Sequence, residues 1–388
     1  MPVPVVLNGC GRIGRLVLRM AWAHPEQLTI VALNDIASAE SVAYLLRYDT
    51  VHGTWGVDVA AADGALVLTD GARELRIPFS RHATLEALAP ACRALGAQLA
   101  LECTGAFLTR AALAPYLGAG GVAKVVVSAP VKEDDVLNVV VGVNDDAYDA
   151  ARHDIVTAAS CTTNCLAPVV AVVHRELGIV HGCITTVHNV TNTQMLLDAP
   201  NAKKTDLRRA RSALSNLVPT STGSATAIAL IFPELAGKLN GLAIRVPLTN
   251  ASITDCVFVV ARRTSAAEVN ALLRAAAEGG RLQGILGFDT AQKVSCDYVN
   301  DTRSAIVDAD CTQVVDGTLV KIYVRCVACA AAAAVPRLVS LTRHARARAH
   351  THTLHRPGTT TRLATQRGWW TWRSLWRGRS RGCGQCGR

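Results

Sequence analysis

The stretch Gly9-x-Gly11-x-x-Gly14 constrains this chain more than any other, because it stands between an apolar run, Val5-Val6-Leu7, and a run of helical spacing from Leu16 to Trp22. Three glycines in a strand, turn and helix context do three jobs. The first allows a tight turn, the second lets the backbone approach a pyrophosphate, and the third lets helix and strand pack closely. A second apolar run, Leu28 to Leu33, ends in Asn34-Asp35, and Asp35 lies 21 residues beyond Gly14. A carboxylate at that spacing accepts both ribose hydroxyls of an adenosine and repels a 2′-phosphate, so the pattern predicts NAD rather than NADP.

Further apolar runs at Leu99 to Cys103, Val125 to Ser128 and Asn138 to Gly142, with helical stretches such as Leu85 to Leu95 between them, describe a parallel sheet buried on both faces. The expected first domain is a doubly wound α/β Rossmann unit over residues 1–155, with Thr104, Gly105 and Ser128 at strand ends where ligands of such sheets bind. Beyond it the pattern changes. Gly182 to Val187, Ala243 to Val246 and Thr254 to Val260 alternate or are β-branched, and Ser265 opens an amphipathic run to Ala277. An α+β catalytic domain on a mainly antiparallel sheet is expected over 156–323, with a long polar segment from Asn189 to Ser221 between its strands.

The chemistry concentrates in this second half. Cys161 falls at a helix start between Ile155 to Ala159 and the apolar run Leu166 to Val173. Free N–H groups and the helix dipole favour a thiolate there, so its pKa is expected to fall below the ordinary ~8.5. His188 ends a strand and supplies an acid or base for neutral pH. Thr220 to Ser224, at the start of an apolar helix, offers hydroxyls and N–H groups to an anion, and Arg245 within an apolar strand needs a counter-charge. A phosphorylated substrate would supply one. Arg208-Arg209-Ala210-Arg211, read alone, is a solvated face.

Several blocks in one order then give the chain a resemblance, over residues 3–323, to the glyceraldehyde-3-phosphate dehydrogenase family: Asn8 to Arg15, Ala159 to Cys165, Thr185 to His188, Asp206 to Arg211, Thr220 to Gly223 and Gly241 to Pro247. The resemblance implies that Cys161 is the nucleophile and His188 its base. It implies that Ser160, Thr162, Thr191, Arg209, Thr222, Gly223 and Arg245 bind the substrate phosphate and inorganic phosphate. Gly9, Gly11, Arg12, Ile13, Gly14, Asp35, Arg81 and Ser128 would hold NAD. It further implies a homotetramer, with glycolysis as the setting; erythrose 4-phosphate is the nearest alternative substrate. The blocks at Thr191 to Gln194 and Leu248 to Cys256 resemble the arsenic-resistance branch, which makes arsenate a second oxyanion.

The resemblance stops after Tyr323. In register, Ala328 replaces the family's nicotinamide-orienting Asn and Ala332 its closing Tyr, while Arg337 to His344 resembles its last helix; a local frame or splice change over 324–336 accounts for both. Residues 345–388 have no family counterpart. The net charge of +10 belongs to the tail: residues 324–388 hold 13 Arg, no Lys and no acid, whereas residues 1–323 carry 27 basic against 30 acidic residues. The body therefore needs no polyanionic partner. Disorder is expected for the tail; nucleic-acid or membrane-surface binding by Trp369, Trp370, Trp372 and Trp376 among arginines, which would make the chain an impaired homologue, is an alternative, as is zinc at Cys326, Cys329, Cys383 and Cys386. Met1 leads directly into the first strand and no apolar run reaches a membrane span, so a cytoplasmic protein is expected, with its 13 cysteines mostly buried thiols.

Overall fold

The structure, a computed structural model, describes residues 1–201, 206–326 and 339. The first sheet has nine strands: β1 (Val3–Asn8), β2 (Leu28–Asn34), β3 (Asp58–Ala62), β4 (Ala65–Thr69), β5 (Glu74–Ser80), β6 (Leu99–Glu102), β7 (Lys124–Val127), β8 (Leu137–Asn138) and β9 (Ile155–Thr157). They lie in the order β3-β4-β5-β2-β1-β6-β7-β9-β8. From β5 to β8 the pairing is parallel, whereas β3, β4 and β5 pair antiparallel and form an extension that the apolar patterns did not single out. Helices α1 (Arg12–Ala23), α2 (Ala39–Arg47), α3 (Leu85–Ala94) and α4 (Arg110–Leu117) make the crossovers. Ser38, Thr84 and Thr109 cap the last three by accepting an N–H three residues on, so local chemistry starts these helices where the chain leaves a strand. The expected strand from Asn138 to Gly142 stops at Asn138. There the Asn144 side chain accepts the Val140 N–H and donates to the Asn138 carbonyl, closing a turn.

The second sheet has seven strands: β10 (Ile179–His188), β11 (Val218–Ser221), β12 (Leu239–Arg245), β13 (Ser252–Val260), β14 (Leu286–Asp289), β15 (Ala305–Val315) and β16 (Leu319–Cys326). Their order is β11-β12-β10-β13-β16-β15-β14, antiparallel except where β10 meets β12 and β14 meets β15. Helix α5 (Cys161–Leu177) packs on this sheet with α6 (Ser224–Ile231) and α7 (Ala266–Glu278). Leu166, Val169, Val170 and Val173 of α5 are buried there, each contributing ~1.5–3 kcal/mol of transfer free energy. Only Ala158, Ala159 and Ser160 separate Thr157, which closes the first sheet, from the first residue of α5.

Strand β16 runs three residues past Tyr323, through Val324, Arg325 and Cys326. Ala328 and Ala332 lie outside the described residues, as do Cys329, Cys383, Cys386 and the four tail tryptophans. Of the segment 337–344 only Val339 is described; it is helical and packs into the core of the first sheet. No helix among the described residues is long and apolar enough to cross a membrane.

Candidate functional site

The site is built where α5 begins. Ala159 adopts φ +52°, a left-handed conformation uncommon for alanine, and its N–H is held by the Thr157 hydroxyl at 3.0 Å. This turn delivers Ser160, whose hydroxyl accepts the Thr163 N–H at 3.1 Å and caps the helix. Cys161 comes next, at the first helical position, with Thr162 Oγ1 3.9 Å from its sulfur. His188, the last residue of β10, brings Nε2 to 3.7 Å from Cys161 Sγ. Its Nδ1 lies 2.7 Å from the Asn189 carbonyl. In the Nδ1–H tautomer, which donates to that carbonyl, the Nε2 lone pair faces the thiol; in the other, Nδ1 accepts from Arg245 Nη1 and Nε2–H points at the sulfur.

The thiol does not behave as the helix-start argument expected. Cys326 and burial push its pKa up to about 12, against the pull of His188. Cys326 closes the site from behind: its Sγ lies 3.3 Å from the Cys161 carbonyl. Cys165, one turn along α5, sits fully buried against the carbonyls of Val324 and Arg325.

Two arginines face this centre. Parallel pairing of β10 with β12 sets Arg245 directly opposite His188, and Arg245 is the last residue of its strand rather than a middle one. Its Nη1 lies 2.6 Å from His188 Nδ1 and donates to the Asn189 carbonyl at 2.9 Å. Nε is buried without a hydrogen-bond partner. Arg245 as a whole is half-buried; Arg209 is buried, and its side chain donates only to hydroxyls, Thr220 Oγ1 at 2.8 and 3.1 Å and Thr193 Oγ1 at 3.2 Å. Thr191 joins this group through Thr193, 3.0 Å away. Among the described residues no carboxylate pairs with either arginine. Burial and the charge of Arg209 together lower the pKa of Arg245 to about 10. A buried guanidinium and a half-buried one that repel each other, with no ion-paired carboxylate, call for an anion nearby. Thr222 and Gly223 stand at the start of α6, where Thr222 Oγ1 accepts the Ser224 N–H and Gly223 caps the helix without a side-chain bond.

The dinucleotide cradle lies at the C-terminal edge of the first sheet. Gly9 has φ +93°, and a Cβ there would stand 2.7 Å from the Thr104 nitrogen; a Cβ on Gly14 would stand 1.8 Å from the Gly9 carbonyl oxygen. At Gly11 a Cβ would meet nothing within 4 Å, and no side chain caps α1, so its first N–H groups face open space. That opening suits a diphosphate. Ile13 sits half-buried in the first turn of α1. Asp35 accepts N–H groups from Cys10 at 2.6 Å and Ala37 at 2.8 Å, one on each oxygen, leaving lone pairs for ribose hydroxyls. Arg81 flanks it by donating to the Ile36 carbonyl at 3.0 Å, and Ser128, the residue after β7, places its N–H on the Glu102 carbonyl. The residues present fit NAD. Arg12 stands at the first position of α1, and its guanidinium reaches the second half of the chain, donating to the carbonyls of Val190 at 3.3 Å and Thr249 at 3.0 Å.

Sequence reasoning gave no role to Asn189 or Ala159 and considered Cys326 only as a zinc ligand, not as a neighbour of Cys161. Asn189 sat inside the matching block's flank as an ordinary polar residue, and Cys326 touches a residue 165 positions away. The positive φ of Ala159 left no trace in its identity.

Comparison with known proteins agrees with this geometry. Residues 3–110 match the NAD binding domain of glyceraldehyde 3-phosphate dehydrogenase, and residues 160–326 match its C-terminal domain. The chain is 55% identical over 323 residues to glyceraldehyde-3-phosphate dehydrogenase 3 of Nostoc sp., covering 83% of this chain and 92% of that one. It is 47% identical over 326 residues to the Pseudomonas aeruginosa glyceraldehyde-3-phosphate dehydrogenase and 45% over 322 residues to that of Geobacillus stearothermophilus, with 83% and 92% covered in both cases. With a glycine cradle for a dinucleotide, a cysteine facing a histidine and two family domains in order, the chain belongs to the glyceraldehyde-3-phosphate dehydrogenase family.

Proposed function

We propose that this chain oxidises glyceraldehyde 3-phosphate with NAD and inorganic phosphate, giving an acyl phosphate through a thioester on Cys161. The observation that carries it is the 3.7 Å approach of Cys161 Sγ to His188 Nε2 beside half-buried Arg245 and buried Arg209, neither of which forms an ion pair with a described carboxylate.

A thiol that stays protonated in the free chain gives up its proton as the carbon–sulfur bond forms. His188 Nε2 relays that proton to the aldehyde oxygen, yielding a neutral hemithioacetal. Bound NAD supplies the acceptor for the hydride. His188 takes the hemithioacetal hydroxyl proton as the hydride leaves, and the carbonyl of the thioester forms. Arg209 and Arg245, with Thr191, Thr222 and Gly223, hold the phosphate groups, one on the substrate and one that attacks the thioester. Cys161 leaves as a thiolate and recovers its proton from His188, which resets the site. Asp35, Arg81, Ser128 and the Gly9 to Gly14 turn hold the dinucleotide.

Exposed leucines support association of identical copies. Leu196, Leu197, Leu207, Leu214 and Leu217 all lie on the 189–221 segment, Leu207 with 83% of its surface open. Five exposed leucines on one polar segment are surface that a partner copy could cover, and the homotetramer and the cytoplasmic location are part of this proposal.

The test is NADH formation by the full chain with glyceraldehyde 3-phosphate, compared with erythrose 4-phosphate, and with phosphate compared with arsenate. Turnover that needs glyceraldehyde 3-phosphate and an oxyanion, and vanishes in Cys161→Ala, supports the reading. Faster turnover of erythrose 4-phosphate would transfer the assignment to that substrate.

A further inference from the structure

Four neighbouring strands of the first sheet end in polar residues that stand in one row. Ser80 closes β5, Asn34 closes β2, Asn8 closes β1 and Glu102 closes β6, and the register pairs Ser80 with Asn34, Asn34 with Asn8 and Asn8 with Glu102. Their side chains are bonded end to end. Ser80 Oγ donates to Asn34 Oδ1, Asn34 Nδ2 to Asn8 Oδ1, and Asn8 Nδ2 to Glu102 Oε2, each at 2.8 Å. Asn34 also exchanges hydrogen bonds with the His82 backbone at 2.8 and 2.9 Å.

Glu102 anchors the row. It is fully buried, and its carboxylate accepts four donors: Asn8 Nδ2, the Tyr116 hydroxyl at 2.9 Å, the Thr104 N–H at 2.8 Å and the Thr104 hydroxyl. Four donors satisfy an ionised carboxylate, and two of them, the Thr104 N–H and Asn8 Nδ2, can only donate. Burial raises its pKa, and the bonds from Thr104, Tyr116 and Asn8 pull it back.

Each member of the row leads into the nucleotide site. Gly9 comes after Asn8, Asp35 after Asn34 and Arg81 after Ser80, and Thr104 lies two residues beyond Glu102. The Thr104 nitrogen held by Glu102 is the atom that a Cβ on Gly9 would approach to 2.7 Å. Glu102 therefore grips the glycine turn from both sides, through Asn8 before it and Thr104 beneath it.

We propose that Glu102 is a positioning residue for the dinucleotide: without touching it, the carboxylate fixes the glycine turn and, through Asn8 and Asn34, the loops of Asp35 and Arg81. This rests on the NAD reading of the cradle. Glu102→Gln keeps the size but turns one acceptor into a donor aimed at either Thr104 or the Asn8 and Tyr116 pair. The expected result is a rise of about tenfold in the dissociation constant of NAD and of ADP-ribose, measured by calorimetry on the full chain, with kcat at saturating NAD within twofold of the parent. Tyr116→Phe and Thr104→Val each remove one donor and leave the carboxylate in place; a rise of about threefold is expected for both, and these two decide the matter if Glu102→Gln does not fold. Folded variants that bind NAD and ADP-ribose as the parent does, or that lose kcat with unchanged binding, overturn the proposal alone. A parent that binds neither ligand overturns the NAD reading and this proposal with it.

Discussion

Nη1 of Arg245 lies 2.6 Å from Nδ1 of His188, so the guanidinium that calls for an anion and the imidazole that faces the nucleophile form one unit. They meet because β10 and β12 run parallel with these two residues in register. Replacing Arg245 by Met should therefore separate binding from folding. Losing a charge-assisted hydrogen bond to phosphate costs ~1.5–3 kcal/mol, so the KM for inorganic phosphate should rise roughly 10- to 100-fold. Removal of a half-buried charge with no carboxylate partner should leave the melting temperature equal or higher, read by calorimetry.

His188→Asn should lower kcat by roughly 10²- to 10⁴-fold, the usual worth of a positioned acid or base. Affinity for NAD should stay within about twofold, since His188 belongs to the second sheet and touches no part of the cradle; equilibrium titration alongside steady-state kinetics separates the two.

Cys161 should alkylate slowly at neutral pH, with a rate that climbs about tenfold per pH unit and shows no plateau up to about pH 10, because its pKa stands near 12. Cys326→Ala removes the largest influence that raises it and should speed iodoacetamide labelling of Cys161 at pH 8. The same shift bears on stability. A thiol whose pKa rises on folding, from 9.0 to about 12, keeps its proton in the folded chain after the unfolded chain has lost it. Its contribution is full below about pH 9 and drains away as pH climbs toward 12, which urea midpoints across that range would read.

Ala159→Val should destabilise by roughly 1–3 kcal/mol, since a β-branched side chain resists φ +52° at a buried position. Ala159→Gly should restore or exceed the parent's stability. Urea denaturation of both variants provides the comparison, and a lower kcat in Ala159→Val would report displacement of Cys161.

The glycine turn, Asp35, Cys161 and His188 were legible because each is a residue type tied to a chemistry and placed at a strand or helix end. Their distances were not. The pKa of Cys161 was misread in direction because a helix-start argument carries no information on burial or on a thiol 165 residues further along. Arg209 looked like part of a solvated face, since its neighbours Arg208 and Arg211 are exposed; only the fold turns it inward onto Thr220. The row of Ser80, Asn34, Asn8 and Glu102 was invisible for a related reason. Each is an ordinary polar residue in sequence, and the register of four strands is what joins them.

The three-residue span from Ala158 to Ser160 is the covalent link between the last strand of the first sheet and the helix that bears the nucleophile. Its backbone is tied at both ends, the Ala159 N–H to the Thr157 hydroxyl and the Ala158 carbonyl to Asn164 Nδ2 at 2.7 Å. Where the edge of the nucleotide sheet stands is therefore handed on to the reactive sulfur through only three residues.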